Sequence, residues 1–83
     1  MMDVALHPHA RTRLVERGAT EAEVIETVRE GERFSAKYGR TGFRRYFPFN
    51  DVWRGHRCAT KQVEAFAVEE NGWLVSTVIV RYY

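Results

Sequence analysis

Apolar positions recur first at helical and then at strand spacing. Ala10 and Leu14 stand four residues apart between His7-Pro8 and Gly18, and that interval predicts a helix from about Pro8 to Arg17. Proline loses nothing at the first helical position, where its missing N–H would be unpaired anyway, and glycine suits the left-handed residue that closes a helix. His9, Arg13 and Arg17 repeat at the same interval and make a polar stripe beside the apolar one. Thr20 followed by Glu23 is the signature of a capping box, in which each side chain satisfies an unpaired amide of the first turn. It predicts a second helix over about Thr20 to Glu30, with Val24, Ile25 and Val28 turned to the core, glutamates turned to water, and Gly31 as the stop.

From Arg33 the period changes toward two, which means strands. Arg33 to Tyr38 and Gly42 to Phe49 flank the turn-like Gly39-Arg40-Thr41-Gly42, and Pro48 marks an edge or a strand end because it has no N–H to donate. Arg57 to Glu70 and Trp73 to Tyr83 flank Asn71-Gly72, the strongest short hairpin signal. A two-residue loop there pairs Glu70 with Trp73, so counting back sets Lys61 opposite Tyr82 and Val63 opposite Val80. One face of this hairpin carries Lys61, Val63, Ala65 and Ala67 against Ser76, Val78, Val80 and Tyr82, small and apolar enough to lie under helices. The other carries Thr60, Gln62, Glu64 and Phe66 against Thr77, Ile79, Arg81 and Tyr83, suited to partial exposure or a partner. The expected architecture is a single α+β domain of 83 residues, with two N-terminal helices packed on a C-terminal antiparallel sheet of about four strands.

Composition narrows the setting. The one cysteine, Cys58, has no partner for an internal disulfide. The longest apolar run, Trp73 to Val80, is broken by Ser76 and Thr77 and falls far short of the ~20 residues of a membrane-spanning helix. A cytoplasmic location without membrane contact is expected. Net charge is only +2, but residues 19–32 carry a net −4 and residues 33–62 a net +7. The basic block is interleaved with Phe34, Tyr38, Phe43, Tyr46, Phe47, Phe49 and Trp53, a mixture that meets a polyanion with stackable bases well. Strand alternation of core aromatics with solvated arginines generates the same pattern. Ile79 and Phe66 on the outer sheet face either favour a homodimer through that sheet or lie under the first hairpin.

The opening His9-Ala10-x-x-Arg13-x-x-x-Arg17-Gly18, then Thr20-x-x-Glu23-Val24, resembles the bacterial domain-of-unknown-function family numbered 4258. The closing Ala59-Thr60-Lys61-Gln62-Val63 and the Trp73 to Tyr83 strand look like one branch of it, so the resemblance covers most of the chain. It implies a fold similar to RelE-type toxins, in which helices pack on a twisted antiparallel sheet, some members cut RNA, and antitoxin segments wrap the toxin. It implies no assigned activity.

Metal-free RNA cleavage needs a group to take the 2′-hydroxyl proton, cations to stabilise the phosphorane, and an acid for the leaving oxygen. His9, near the positive end of its helix where a neutral imidazole is favoured, is a candidate base or acid. Arg13 one turn along is a candidate phosphate ligand, and Lys61 with Tyr82 approach from the end of the terminal hairpin. Arg17, Arg44, Arg45, Arg54 and Arg57 are the candidate RNA-binding residues. The plainer alternative makes His9 a hydrogen-bonded residue at a helix start, with Arg13 and Arg17 ion-pairing helix one to helix two. His7-x-His9 and His56-x-Cys58 supply four potential metal ligands, but the close spacing argues against a zinc site, and no metal or cofactor is expected. A non-catalytic module binding an acidic protein partner is the second functional reading. No glycine-rich phosphate loop or Ser-His-Asp set is present, which sets hydrolase and nucleotide-cofactor readings low.

Overall fold

The computed structural model describes residues 3–83. The elements run β1 (Val4–Leu6), α1 (Pro8–Arg17), α2 (Glu21–Glu30), β2 (Glu32–Ser35), β3 (Thr41–Trp53), β4 (His56–Glu69) and β5 (Trp73–Tyr82). Both helices form where the 3.6-residue period places them. His7 is the N-cap of α1, its Nδ1 accepting the His9 N–H at 3.1 Å, and Gly18 closes the helix in the left-handed region at φ +71. The capping box of α2 is complete: Glu23 N–H donates to Thr20 Oγ1 at 3.1 Å, and Thr20 N–H donates to Glu23 Oε1 at 3.0 Å. Gly31 ends α2 at an ordinary φ of −79. Space selects glycine there, since a Cβ would meet the backbone oxygens of Thr27 and, at 2.6 Å, of Arg44.

The sheet has five strands rather than four, in the order β1-β5-β4-β3-β2, and it is mixed rather than wholly antiparallel. The additional strand is β1, whose Val4, Ala5 and Leu6 run parallel to Trp73, Leu74 and Val75. Three residues are too few to display a period, and the partner lies at the far end of the chain, so no local signal announces it. Hydrogen bonds from Trp73 N–H to the Asp3 carbonyl (2.7 Å) and from His7 N–H to the Val75 carbonyl (2.8 Å) frame the pairing.

Two turns fall elsewhere than expected. The β2–β3 connection reverses at Tyr38 (φ 63) and Gly39 (φ 69), where Arg40 N–H donates to the Lys37 carbonyl at 3.3 Å, and not at Gly39 to Gly42. β3 continues past Phe49 to Trp53 and joins β4 through the two-residue turn Arg54-Gly55, both left-handed at φ 49 and φ 84. Pro48 is tolerated inside β3 because β2 pairs only with Thr41 to Arg44, leaving the outer edge of β3 unpaired beyond that point. The β4–β5 loop has three residues, because Glu69 and not Glu70 faces Trp73. Lys61 nevertheless faces Tyr82 and Val63 faces Val80, as counted, because a bulge adding Ser76 to β5 absorbs the extra residue.

The two helices cover one face of the sheet. Val24 and Val28 of α2, Leu14 of α1 and Leu6 of β1 meet Phe43, Val63, Val75 and Val78 there, and the small Ala65 and Ala67, with no exposure, let the helices approach. The other face has no helix, yet Gln62 and Glu64, expected to be partly exposed, are each only 6% accessible. Their burial is matched by partners. Glu64 accepts from Arg44 at 2.7 Å and Arg81 at 2.6 Å, while Gln62 donates to Tyr46 Oη at 3.0 Å and accepts from Tyr83 O–H at 3.2 Å. No helix of the described residues is long and apolar enough to cross a membrane.

Candidate nucleic-acid interface

The polar stripe of α1 lies along β5. His9, Ala10, Arg13 and Arg17 face Ser76, Thr77 and Val78 across a cleft of about 230 Å³. A second cleft of about 280 Å³ is lined by Arg17, Trp53, Arg54, Ile79, Val80 and Tyr82. Arg17 lines both, so the two clefts adjoin at its side chain and together make a groove along the edge of β5 beyond Val75, where β1 ends. The Arg17 guanidinium donates to the Val78 carbonyl on that edge.

At the far end of the groove the aromatic rings close up. A bulge in β3 between Pro48 and Asp51, with Asn50 left-handed at φ 48, bends the strand, and Trp53 stacks on Tyr82 with ring centres 4.3 Å apart and planes 17° apart. Phe49 meets the same Tyr82 ring edge-on at 4.9 Å. A Cβ at Gly18 would stand 2.6 Å from Tyr82 Oη and 2.7 Å from the Trp53 ring, so the end of α1 touches this stack only because residue 18 has no side chain. The Arg54 guanidinium lies 5.3 Å from the centre of the Trp53 ring.

These distances sort the four candidate catalytic residues into two pairs. His9 is exposed and, with Arg13, lines the groove. Lys61 is 7% accessible and donates to the Gly18 carbonyl at 3.0 Å and to Glu23 at 2.8 Å, which ties the end of α1 to the start of α2. Tyr82 donates its O–H to the Arg17 carbonyl at 2.7 Å. Burial, reinforced by the Glu23 charge, raises the Tyr82 phenol above its ordinary value, so it stays a hydrogen-bond donor. His9 and Arg17 are eight residues apart, about 12 Å along a helix at 1.5 Å per residue. The four therefore do not converge on one point: His9 and Arg13 face the groove, and Lys61 and Tyr82 fasten its far wall.

The five candidate RNA-binding arginines also separate. Arg44 and Arg45 are successive strand residues and point to opposite faces. Arg44 pairs with Glu64 and, at 2.9 Å, with Glu32, while Arg45 pairs with Glu26 of α2 at 3.0 Å. Arg17 and Arg54 line the groove, and Arg57 is exposed opposite Val52. Among the described residues, Arg13, Arg54 and Arg57 have no acidic partner within 4.0 Å. An ion pair does join the helices, but through Arg11 and Glu21 rather than Arg13 or Arg17. Among the described residues no group of three or more His, Cys, Asp or Glu side chains is placed to hold a metal ion.

A scan against protein-family models, a search of curated proteins and a search of solved structures each return no match to this chain. The resemblance to the family numbered 4258 thus rests on the motif residues alone. Sequence reasoning missed the pairing of Trp53 with Tyr82 and the role of Arg54 as a hairpin tip. The available signal was the X-Gly dipeptide Arg54-Gly55 between two strand-like segments.

Proposed function

We propose that the protein is a RelE-like domain of the family numbered 4258 that binds single-stranded RNA along the groove between α1 and β5. The observation that carries this reading is the alignment of Arg13, Arg17 and Arg54 along one groove, with Arg13 and Arg54 free of acidic partners among the described residues. Cations at intervals along a groove follow a phosphate backbone, and guanidinium groups bind phosphate in a fork. His9 lies one helical turn from Arg13 on the same cleft. A neutral imidazole there takes the proton of a 2′-hydroxyl as that oxygen attacks the adjacent phosphorus, and Arg13 stabilises the charge that develops. The 5′ oxygen then leaves, taking its proton from solvent water, and a 2′,3′-cyclic phosphate remains, while the imidazolium returns its proton to solvent. Lys61 and Tyr82 hold the groove and take no part in this step. The same reading carries an antitoxin-type protein partner in a cytoplasmic setting.

The test uses short labelled single-stranded RNA. Binding is followed by fluorescence anisotropy at low salt, and products are resolved on a gel in EDTA. Arg13→Gln is expected to weaken binding several-fold, and His9→Ala to abolish cyclic-ended products while leaving binding within a few-fold. Absence of RNA affinity at low salt would overturn the reading. Binding without cleavage by the wild type would remove the proton-transfer role from His9.

A further inference from the structure

We propose that Trp53 and Arg54 form a nucleobase subsite at the end of the groove, in which one unstacked base lies on the Trp53 indole and the Arg54 guanidinium closes over it. This rests on the reading of the groove as an RNA site and adds a recognition element to it.

Three observations carry it. First, the indole is held in place before any ligand arrives: Tyr82 stacks on it at 4.3 Å, Phe49 braces Tyr82, and Gly18 presses against the edge of the ring. A rigid ring loses little freedom when a base stacks on it. Second, Arg54 is exposed and lies 5.3 Å from the centre of that ring, so it has to swing outward to admit a base, and no acidic partner among the described residues holds it in place. Guanidinium planes and aromatic rings are the two surfaces on which single-stranded bases stack. Third, Arg54 occupies a left-handed position, φ 49, in a two-residue turn where asparagine or glycine is the unstrained choice. Strain kept at a position beside a cleft points to use of its side chain. Arg17, shared by both clefts, carries the phosphate chain from the His9 end to this ring.

The experiment compares short RNA oligomers with abasic ribose-phosphate oligomers of equal length, read by anisotropy and by intrinsic tryptophan fluorescence. Trp73 is 9% accessible in the core, so quenching reports on Trp53. Base-bearing RNA is expected to bind at least about five-fold more tightly than the abasic chain, the lower end of what one stacked base contributes, and to quench the fluorescence. Arg54→Asn is expected to weaken RNA binding while its melting temperature stays level or rises, because asparagine relieves the turn. Equal binding of the two oligomers without quenching overturns the subsite and leaves the groove standing. If neither oligomer binds, the groove reading falls with it. RNA affinity unchanged in Arg54→Asn removes Arg54 from the subsite.

Discussion

Lys61 holds its ammonium group between the last carbonyl beyond α1 and the Glu23 carboxylate, which also completes the capping box of α2. One buried lysine thus joins two helix ends to the sheet. Replacing it with methionine removes two charge-assisted hydrogen bonds and is expected to lower stability by about 1–3 kcal/mol in urea unfolding, with RNA affinity of the folded fraction unchanged. Full stability with lost RNA affinity would return Lys61 to the binding site. Glu64 gives a pH-dependent counterpart on the other face. Burial alone would raise its carboxyl, but hydrogen bonds from Arg81 and Arg44 outweigh burial and hold it below its ordinary value of 4.5. A depressed carboxylate contributes stability that is present above the unfolded value and is lost as pH falls through the folded one. Melting temperatures of wild type and Glu64→Gln should therefore differ most near neutral pH and converge below about pH 4.5. A pH-independent difference between them would exclude the carboxylate as the source. The sequence marked Lys61 and Tyr82 as neighbours, and they are, because the bulge at Ser76 offsets the extra residue of the β4–β5 loop that counting from a two-residue turn left out. Their use as fasteners was not legible, since it depends on where the end of α1 packs, which no local pattern specifies.

Among the elements, those with a period of their own were the ones the sequence displayed. α1 and α2 follow from apolar spacing and caps, and the β4–β5 pairing from Asn71-Gly72. β1 is too short to show alternation. The Arg54-Gly55 turn was hidden because its first residue is unfavoured in the left-handed region it occupies. Gly31 illustrates a requirement set between elements rather than within one. Its φ of −79 suits any residue, but the end of α2 passes so close to β3 that a methyl group would strike the Thr27 and Arg44 backbone oxygens. Gly31→Ala is expected to destabilise by about 1–3 kcal/mol, as overpacking against backbone does, in spite of the better helix propensity of alanine. Urea midpoints check this, and an unchanged midpoint would mean that α2 can lift off β3 freely.

Across the whole molecule, folding divides the basic block that the sequence shows as continuous. Glutamates of α2, with Glu32 and Glu64, neutralise Arg11, Arg44, Arg45, Lys61 and Arg81 in place. Arg44, Arg45 and Lys61, three of the eight basic residues of the 33–62 block, are thus paired with glutamates of the acidic segment. Of the eight basic side chains left without an acidic partner among the described residues, Arg13, Arg17 and Arg54 lie along the groove. Each phosphate neutralised on a single strand contributes about −0.7 to the slope of log affinity against log salt. Arg13→Gln is therefore expected to flatten that slope by about 0.7, whereas Arg44→Gln with Arg45→Gln should lower the melting temperature and leave the slope alone. The reverse result would move the RNA path off the α1–β5 groove and onto the strands, where the charge count alone had suggested it.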